Sequence, residues 1–191
     1  MKRLVEGGRA YVESFLAALD RAFASLFFLE KPVVAALNGH AIAGGAVLAC
    51  ACDRRLLARG KGLIGVPELH VGVPFPVLAI EILRATLRTE VANEMLLEGR
   101  NYSGEDCLAR GIVHEFVGPE ALLPRALEQA AGLGALQTSS FGLTKRWLRR
   151  PARLAWEREQ AADLRALIEV WSSPACLRAV EDYVARTLRK P

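Results

Sequence analysis

The chain has 191 residues, 25 Lys/Arg against 21 Asp/Glu, a formal net charge of +4, and 52% hydrophobic residues. That length suits one domain with a real core, and the apolar content excludes an intrinsically disordered chain. No apolar run is both long enough and free of polar or breaker residues to span a membrane, and MKRLVEGGRAYVE lacks a signal peptide's apolar core, so a cytoplasmic location is expected.

Charge is uneven. From Leu136 onward there are eleven Lys/Arg against six Asp/Glu, and before that fourteen against fifteen. A basic C-terminal part fits a solvated helix face, an acidic partner or a phosphorylated cofactor. Nucleic acid is disfavoured, because no recognised motif and few interleaved aromatics accompany the charge. Cys50, Cys52, Cys107 and Cys176 match no common zinc spacing, so reduced, buried thiols and no metal are expected.

Arg9 to Leu29 carries apolar residues at Tyr11, Phe15, Leu16, Leu19, Phe23, Leu26 and Phe27, a helical stripe facing a core. Only MKRLVEGG precedes it. Lys31-Pro32 then breaks the pattern, and Val33–Leu37 reads as a buried strand ended by Asn38-Gly39. Ala43-Gly44-Gly45-Ala46 is small enough for a ligand to approach the backbone, and Val47 to Cys52 reads as a helix sunk in the core. A glycine turn entering a helix leaves N–H groups that hold a phosphate or a reaction oxyanion. Tight helix–strand packing explains the same small residues.

Arg54–Ala58 and Leu63–Val66 read as short strands. Glu68, after an apolar run and beside Pro67, is either a solvated turn residue or a half-buried carboxylate with a raised pKa suited to general base work. Two residues on, His70 points the same way if the segment is extended. Val73-Pro74-Phe75-Pro76 is a rigid turn before a helix from about Val77 to Leu87. Thr89 to Leu97 is a further helix, and Ser103-Gly104-Glu105-Asp106 opens another with a capping-box pattern. Gly111–Glu115, with His114, reads as an edge strand, and Pro119 to Leu133 as a helix. Beyond Ser139 the pattern predicts helices over Thr144–Arg150, about Pro151–Trp171, and Pro174–Leu188.

KPVVAALNGHAIAGGAVLACACD, GLIGVPELHVGVPFP and GRNYSGEDCLARGIVHEFV lie in order and cover much of the chain. They resemble three segments of the enoyl-CoA hydratase/isomerase, or crotonase, family. The resemblance implies an α/β crotonase-like (ClpP/crotonase) fold with repeated β-β-α units. It implies an acyl-CoA thioester substrate, coenzyme A entering as part of that substrate, no other cofactor, and a homo-trimer or hexamer. The boundaries expected are a crotonase-like α/β core over 1–135 and a C-terminal helical trimerisation region over 136–191.

The resemblance also assigns roles. Gly44 is the oxyanion-hole residue and Glu68 the acid/base. Gly45, Pro67 and Val47 lie at the substrate, and His40 either lines the pocket or packs beside it. Tyr183 falls near a pocket-lining position, and Lys145 is a candidate contact for a CoA phosphate. Val47 departs from the family's hydratases, which carry a second glutamate there. Its apolar side chain favours double-bond isomerisation, which needs one base, over hydration, which two carboxylates share. The family's opening strands, with a loop carrying one of two oxyanion donors, have no counterpart here. Met1 is therefore expected to be internal to a longer chain, the alternative being a short family member. The rival function is a non-catalytic acyl-CoA-binding or assembly subunit. A nucleotide module using Gly44-Gly45 lacks phosphate-directed residues over Ala46–Ala51.

Overall fold

A computed structural model describes residues 2–187. Helix α1 (Lys2–Phe27) begins earlier than its apolar stripe, because Gly8 adopts φ 53° and kinks the helix instead of ending it. Strand β1 (Val34–Leu37) leads through Asn38-Gly39 into β2 (Ala41–Ile42) and helix α2 (Gly44–Ala51). Strands β3 (Arg54–Ala58) and β4 (Ile64–Gly65) follow, then a 3-10 turn over Glu68–Val71 and helix α3 (Val77–Thr86). Next come α4 (Thr89–Glu98), β5 (Asn101–Tyr102), α5 (Gly104–Ala109), β6 (Glu115–Val117) and α6 (Pro119–Gly134). The last elements are α7 (Thr138–Leu148), α8 (Arg150–Trp171) and α9 (Pro174–Thr187).

Two small sheets carry the fold. One has the order β1-β3-β6, all parallel, with Val34 opposite Arg54 and Leu56 opposite Glu115. The other has the order β2-β4-β5, with β2 and β4 parallel and β4 and β5 antiparallel. At Gly65 the β5 backbone passes so close that a Cβ would meet Arg100 and Asn101, which is why the pairing takes glycine there. His114 falls just before β6, so the strand starts four residues later than expected and shares only Glu115 with the expected span. Its Nδ1 accepts the Arg55 N–H at 3.0 Å, and burial pushes its pKa down to about 4.

The main core joins α2, α3 and α4 to the inner face of α1. Phe23, Phe27, Val47, Leu57, Leu78, Ile82, Leu83 and Met95 are all essentially inaccessible. Complete burial of one such large side chain is worth about 1.5–3 kcal/mol. Helix α8 folds back on this core in its own chain. Leu167 and Ile168 pack on Leu4, Val12 and Leu16 of α1. The Trp156 indole N–H donates to Asp20 at 3.0 Å, and Asp163 accepts the Val77 N–H at 2.9 Å, capping α3 from another element.

Helix α7 begins at Thr138, six residues before the expected start, because the Gln137 side chain caps it by accepting the Ser140 N–H at 2.7 Å. At α5, Ser103 Oγ accepts the Asp106 N–H at 3.3 Å and donates to its carboxylate at 2.7 Å. The α9 helix follows the expected span to Thr187, and the expected end at Leu188 lies outside the described residues. All four cysteines are free and buried, and burial raises Cys52 to about 11 and Cys107 to about 12. Among the described residues no helix is long and apolar enough to cross a membrane.

Candidate active site

The start of α2 is built around an uncommon backbone. Ala43, its N-cap, has φ 58° and ψ −130°, and it is the sole non-glycine with positive φ among the described residues. A β-carbon in that region costs about 1–3 kcal/mol, and such strain persists only where the surroundings hold it. The surroundings here are definite. The Ala43 N–H donates to the Gly65 carbonyl at 2.8 Å, and its carbonyl accepts from the Ala46 and Val47 N–H groups. The result aims the first turn of α2 outward. The Gly44 and Gly45 N–H groups have no hydrogen-bond partner among the described residues. They are the orphan donors that every helix start leaves, with the positive end of the helix dipole behind them.

Glu68 lines the same cavity as Gly44. Pro67 caps the 3-10 turn that Glu68 opens, and Gly72 closes it in the left-handed conformation at φ 70°. The Val73 N–H returns to the Glu68 carbonyl at 3.0 Å, which locks the turn. Glu68 Oε2 is buried with no hydrogen-bond partner among the described residues. Burial pushes the carboxyl up to about 7. A desolvated carboxyl that shares a cavity with helix-start donors can hold and release a proton near neutral pH.

Between these groups lies an apolar cavity of about 320 Å³. It is lined by Ala43, Gly44 and Val47 of the α2 region, by Pro67, Glu68 and Val71, and by Tyr11, Phe15, Leu19 and Phe23 of α1. Trp171 at the end of α8 and Tyr183 of α9 close it. The structure thus brings together five of the predicted residues: Gly44, Val47, Pro67, Glu68 and Tyr183. Val47 is 1% exposed, so the position holds an apolar wall and no second carboxylate.

Three predicted residues lie elsewhere. Gly45 is exposed and outside the lining, although its N–H points from the same helix start. His40 is exposed, and its Nδ1 accepts the Leu63 N–H at 3.2 Å, which ties the β1–β2 turn to β4. Lys145 is buried in a different cavity, donating to Asp53 at 2.6 Å and to the Lys31 carbonyl at 2.8 Å. Its amine is occupied in the interior and is not displayed toward a CoA phosphate beside Glu68. His70 also turns away, bonding the Glu98 carbonyl at 2.7 Å.

Two contributions escape the sequence reading. Ala43 carries the strain that aims the donors, yet alanine gives no signal of positive φ. The α1 stripe reads as core, but Tyr11, Phe15, Leu19 and Phe23 form a cavity wall. Only the surplus of aromatic residues on one helix face could have indicated this.

The enoyl-CoA hydratase/isomerase family profile matches residues 1–187. The chain belongs to the enoyl-CoA hydratase/isomerase family. Its relatives in that family include the peroxisomal enoyl-CoA delta isomerase 2 of Arabidopsis thaliana, 36% identical over 53% of this chain and 41% of the relative. Among solved structures, the enoyl-CoA hydratase EchA3 of Mycobacterium ulcerans is 31% identical with a TM-score of 0.71, covering 82% of this chain and 65% of that one. Human mitochondrial delta3-delta2-enoyl-CoA isomerase superposes with a TM-score of 0.89 at 25% identity, over 93% of this chain and 69% of that one. The fold of this family member is therefore crotonase-like. The chain spans about half the length of the curated relatives it matches, from 41% to 58%.

Proposed function

We propose that this enoyl-CoA hydratase/isomerase family member moves the double bond of an acyl-CoA thioester, 3-enoyl to 2-enoyl, through an enolate. The observation that supports this most directly is the single carboxylate of the cavity: Glu68 Oε2 is buried without a partner among the described residues, burial raises the group to about 7, and Val47 of the same lining is apolar. In this reading the thioester oxygen sits against the Gly44 N–H. Glu68 removes a proton from the carbon next to the thioester. The electron pair of that C–H bond delocalises through the enolate onto the thioester oxygen, where the N–H group and the α2 dipole stabilise it. Glu68 then returns the proton two carbons further on, and the double bond comes to rest in conjugation with the thioester. One carboxyl serves as base and then as acid, and no water has to be activated.

The apolar lining receives the acyl chain, and coenzyme A enters as part of the substrate. The repeated β-β-α organisation and a trimer or hexamer belong to the same reading. The experiment is a paired assay on the intact protein with 3-enoyl-CoA and 2-enoyl-CoA. Isomerisation that clearly exceeds hydration is the expected result. Hydration as the faster reaction overturns the assignment, and tight acyl-CoA binding with no turnover moves the chain to the class of non-catalytic binders.

A further inference from the structure

The segment bearing Glu68 is held from outside the sheets. Val71 and Val73, in and just after the Glu68 turn, are 5% and 3% exposed, and they form a small core with Cys176 and Val180 of α9, at 5% and 2%. The Trp171 indole N–H donates to the Pro74 carbonyl at 3.2 Å, which pins the end of α8, three residues before α9 begins, to the same segment. The turn is four residues long and its own backbone bonds lock its shape, so where it sits against the cavity is set by the elements packed on it. We infer that α9 is a positioning element: Val180 and Cys176, packed on Val71 and Val73, hold the Glu68 turn against the cavity and keep water from its carboxyl. This rests on Glu68 being the proton-transfer group of the proposed function, and it assigns that group's environment to residues distant in sequence.

The cavity makes the argument specific. Tyr11 of α1 and Tyr183 of α9 are the titratable side chains that share its lining with Glu68, and α2 and α3 contribute none. His70, on the turn itself, is engaged with the Glu98 carbonyl. No charged side chain of the lining therefore sets the Glu68 proton affinity, and exclusion of water does. An α9 that lifts away admits water to the carboxyl.

The test is a pH titration of the Glu68 side-chain carboxyl by carbon NMR on the full chain, with Glu68→Gln identifying the signal. Val180→Asp places a charge in the α9 contact, and the reaction of Cys176 with a thiol reagent reports whether α9 has lifted. The expected result is a Glu68 midpoint near 7 in the parent and in Val180→Ile. In Val180→Asp, Cys176 becomes reactive and the Glu68 midpoint falls toward the ordinary 4.5. A reactive Cys176 with Glu68 still near 7 overturns the inference, because other elements then keep the carboxyl dry. A Cys176 that stays unreactive overturns it too, because α9 is then not held through this contact. The titration needs no turnover, so it stands apart from the assay of the proposed function. A correct inference with a wrong function shows the shift in a protein that isomerises nothing.

Discussion

Glu68→Gln should make the protein more stable while removing its proposed chemistry. Its Oε2 is buried without a partner among the described residues, and burial pushes the carboxyl up to about 7 in the folded state, against 4.5 when solvated. A raised carboxyl pKa means that the folded state binds the proton more tightly than the unfolded state. Below pH 4.5 both states are protonated and the residue is neutral in effect. Stability is then lost as pH rises from 4.5 through about 7, and the loss levels off above that. At about 1.4 kcal/mol per tenfold change in proton affinity, the full loss amounts to at most roughly 3.5 kcal/mol. For a chain of this size that corresponds to about 5–10 °C in Tm. Denaturant unfolding of parent and Glu68→Gln from pH 4 to pH 9 measures it. The two curves should converge at the acid end and separate between pH 4.5 and 7, with the variant the more stable. A separation that is constant with pH, or that grows toward acid, refutes the argument.

Other predictions concern the donors and the interior ion pairs. Gly44→Pro deletes the Gly44 N–H at the first helical position, where proline is tolerated, and should reduce isomerisation about 10²–10³-fold. Gly44→Ala keeps the N–H, and its Cβ meets Leu19 and Phe23 at an ordinary 3.8 Å, so its rate should stay near the parent's. Asp53 accepts from Lys145, from Arg149 at 2.7 Å and from the Val33 N–H at 2.8 Å. Asp53→Asn leaves two buried cations without their carboxylate and should cost about 3–5 kcal/mol in denaturant unfolding. His114 is held neutral, at about 4 against 6.5, so its contribution is present above pH 6.5 and lost as pH falls through 4. His114→Asn should remove part of the acid sensitivity of the parent over that window.

The legible parts of this chain were those where local chemistry and tertiary packing agree. Lys31–Asp53 reads as strand, turn and buried helix because Asn38-Gly39 and Gly44-Gly45 punctuate runs of apolar residues, but the strand expected to be buried is only half-buried with Ala36 exposed, and the short β2 is not foreseen. Pro119 at the first turn of α6 and Ser103 at the cap of α5 act as their residue types dictate. The misreadings arise where a distant partner decides. The helical stripe reads as starting at Arg9, yet Leu4 and Val12 both find burial in one cluster with α8, so the helix runs from Lys2 through a kink at Gly8. Periodicity marked the face of α1 that leaves water, but not that part of it lines a cavity. Lys145 reads as a free cation because its partner, Asp53, is 92 residues away in the chain. Glu68 is singled out by the family resemblance, because its proline and apolar neighbours fit a solvated turn residue as well as a half-buried carboxylate. The local sequence does not choose between the two, since α1, α8 and α9 supply the walls that bury it.

The most direct test of the central claim is the rate of conversion of 3-enoyl-CoA to 2-enoyl-CoA by the parent and by Glu68→Gln, with acyl-CoA affinity measured on both. The account predicts turnover by the parent, loss of about 10²-fold or more in the variant, and affinity within a few-fold. A variant that isomerises at the parent's rate would contradict it.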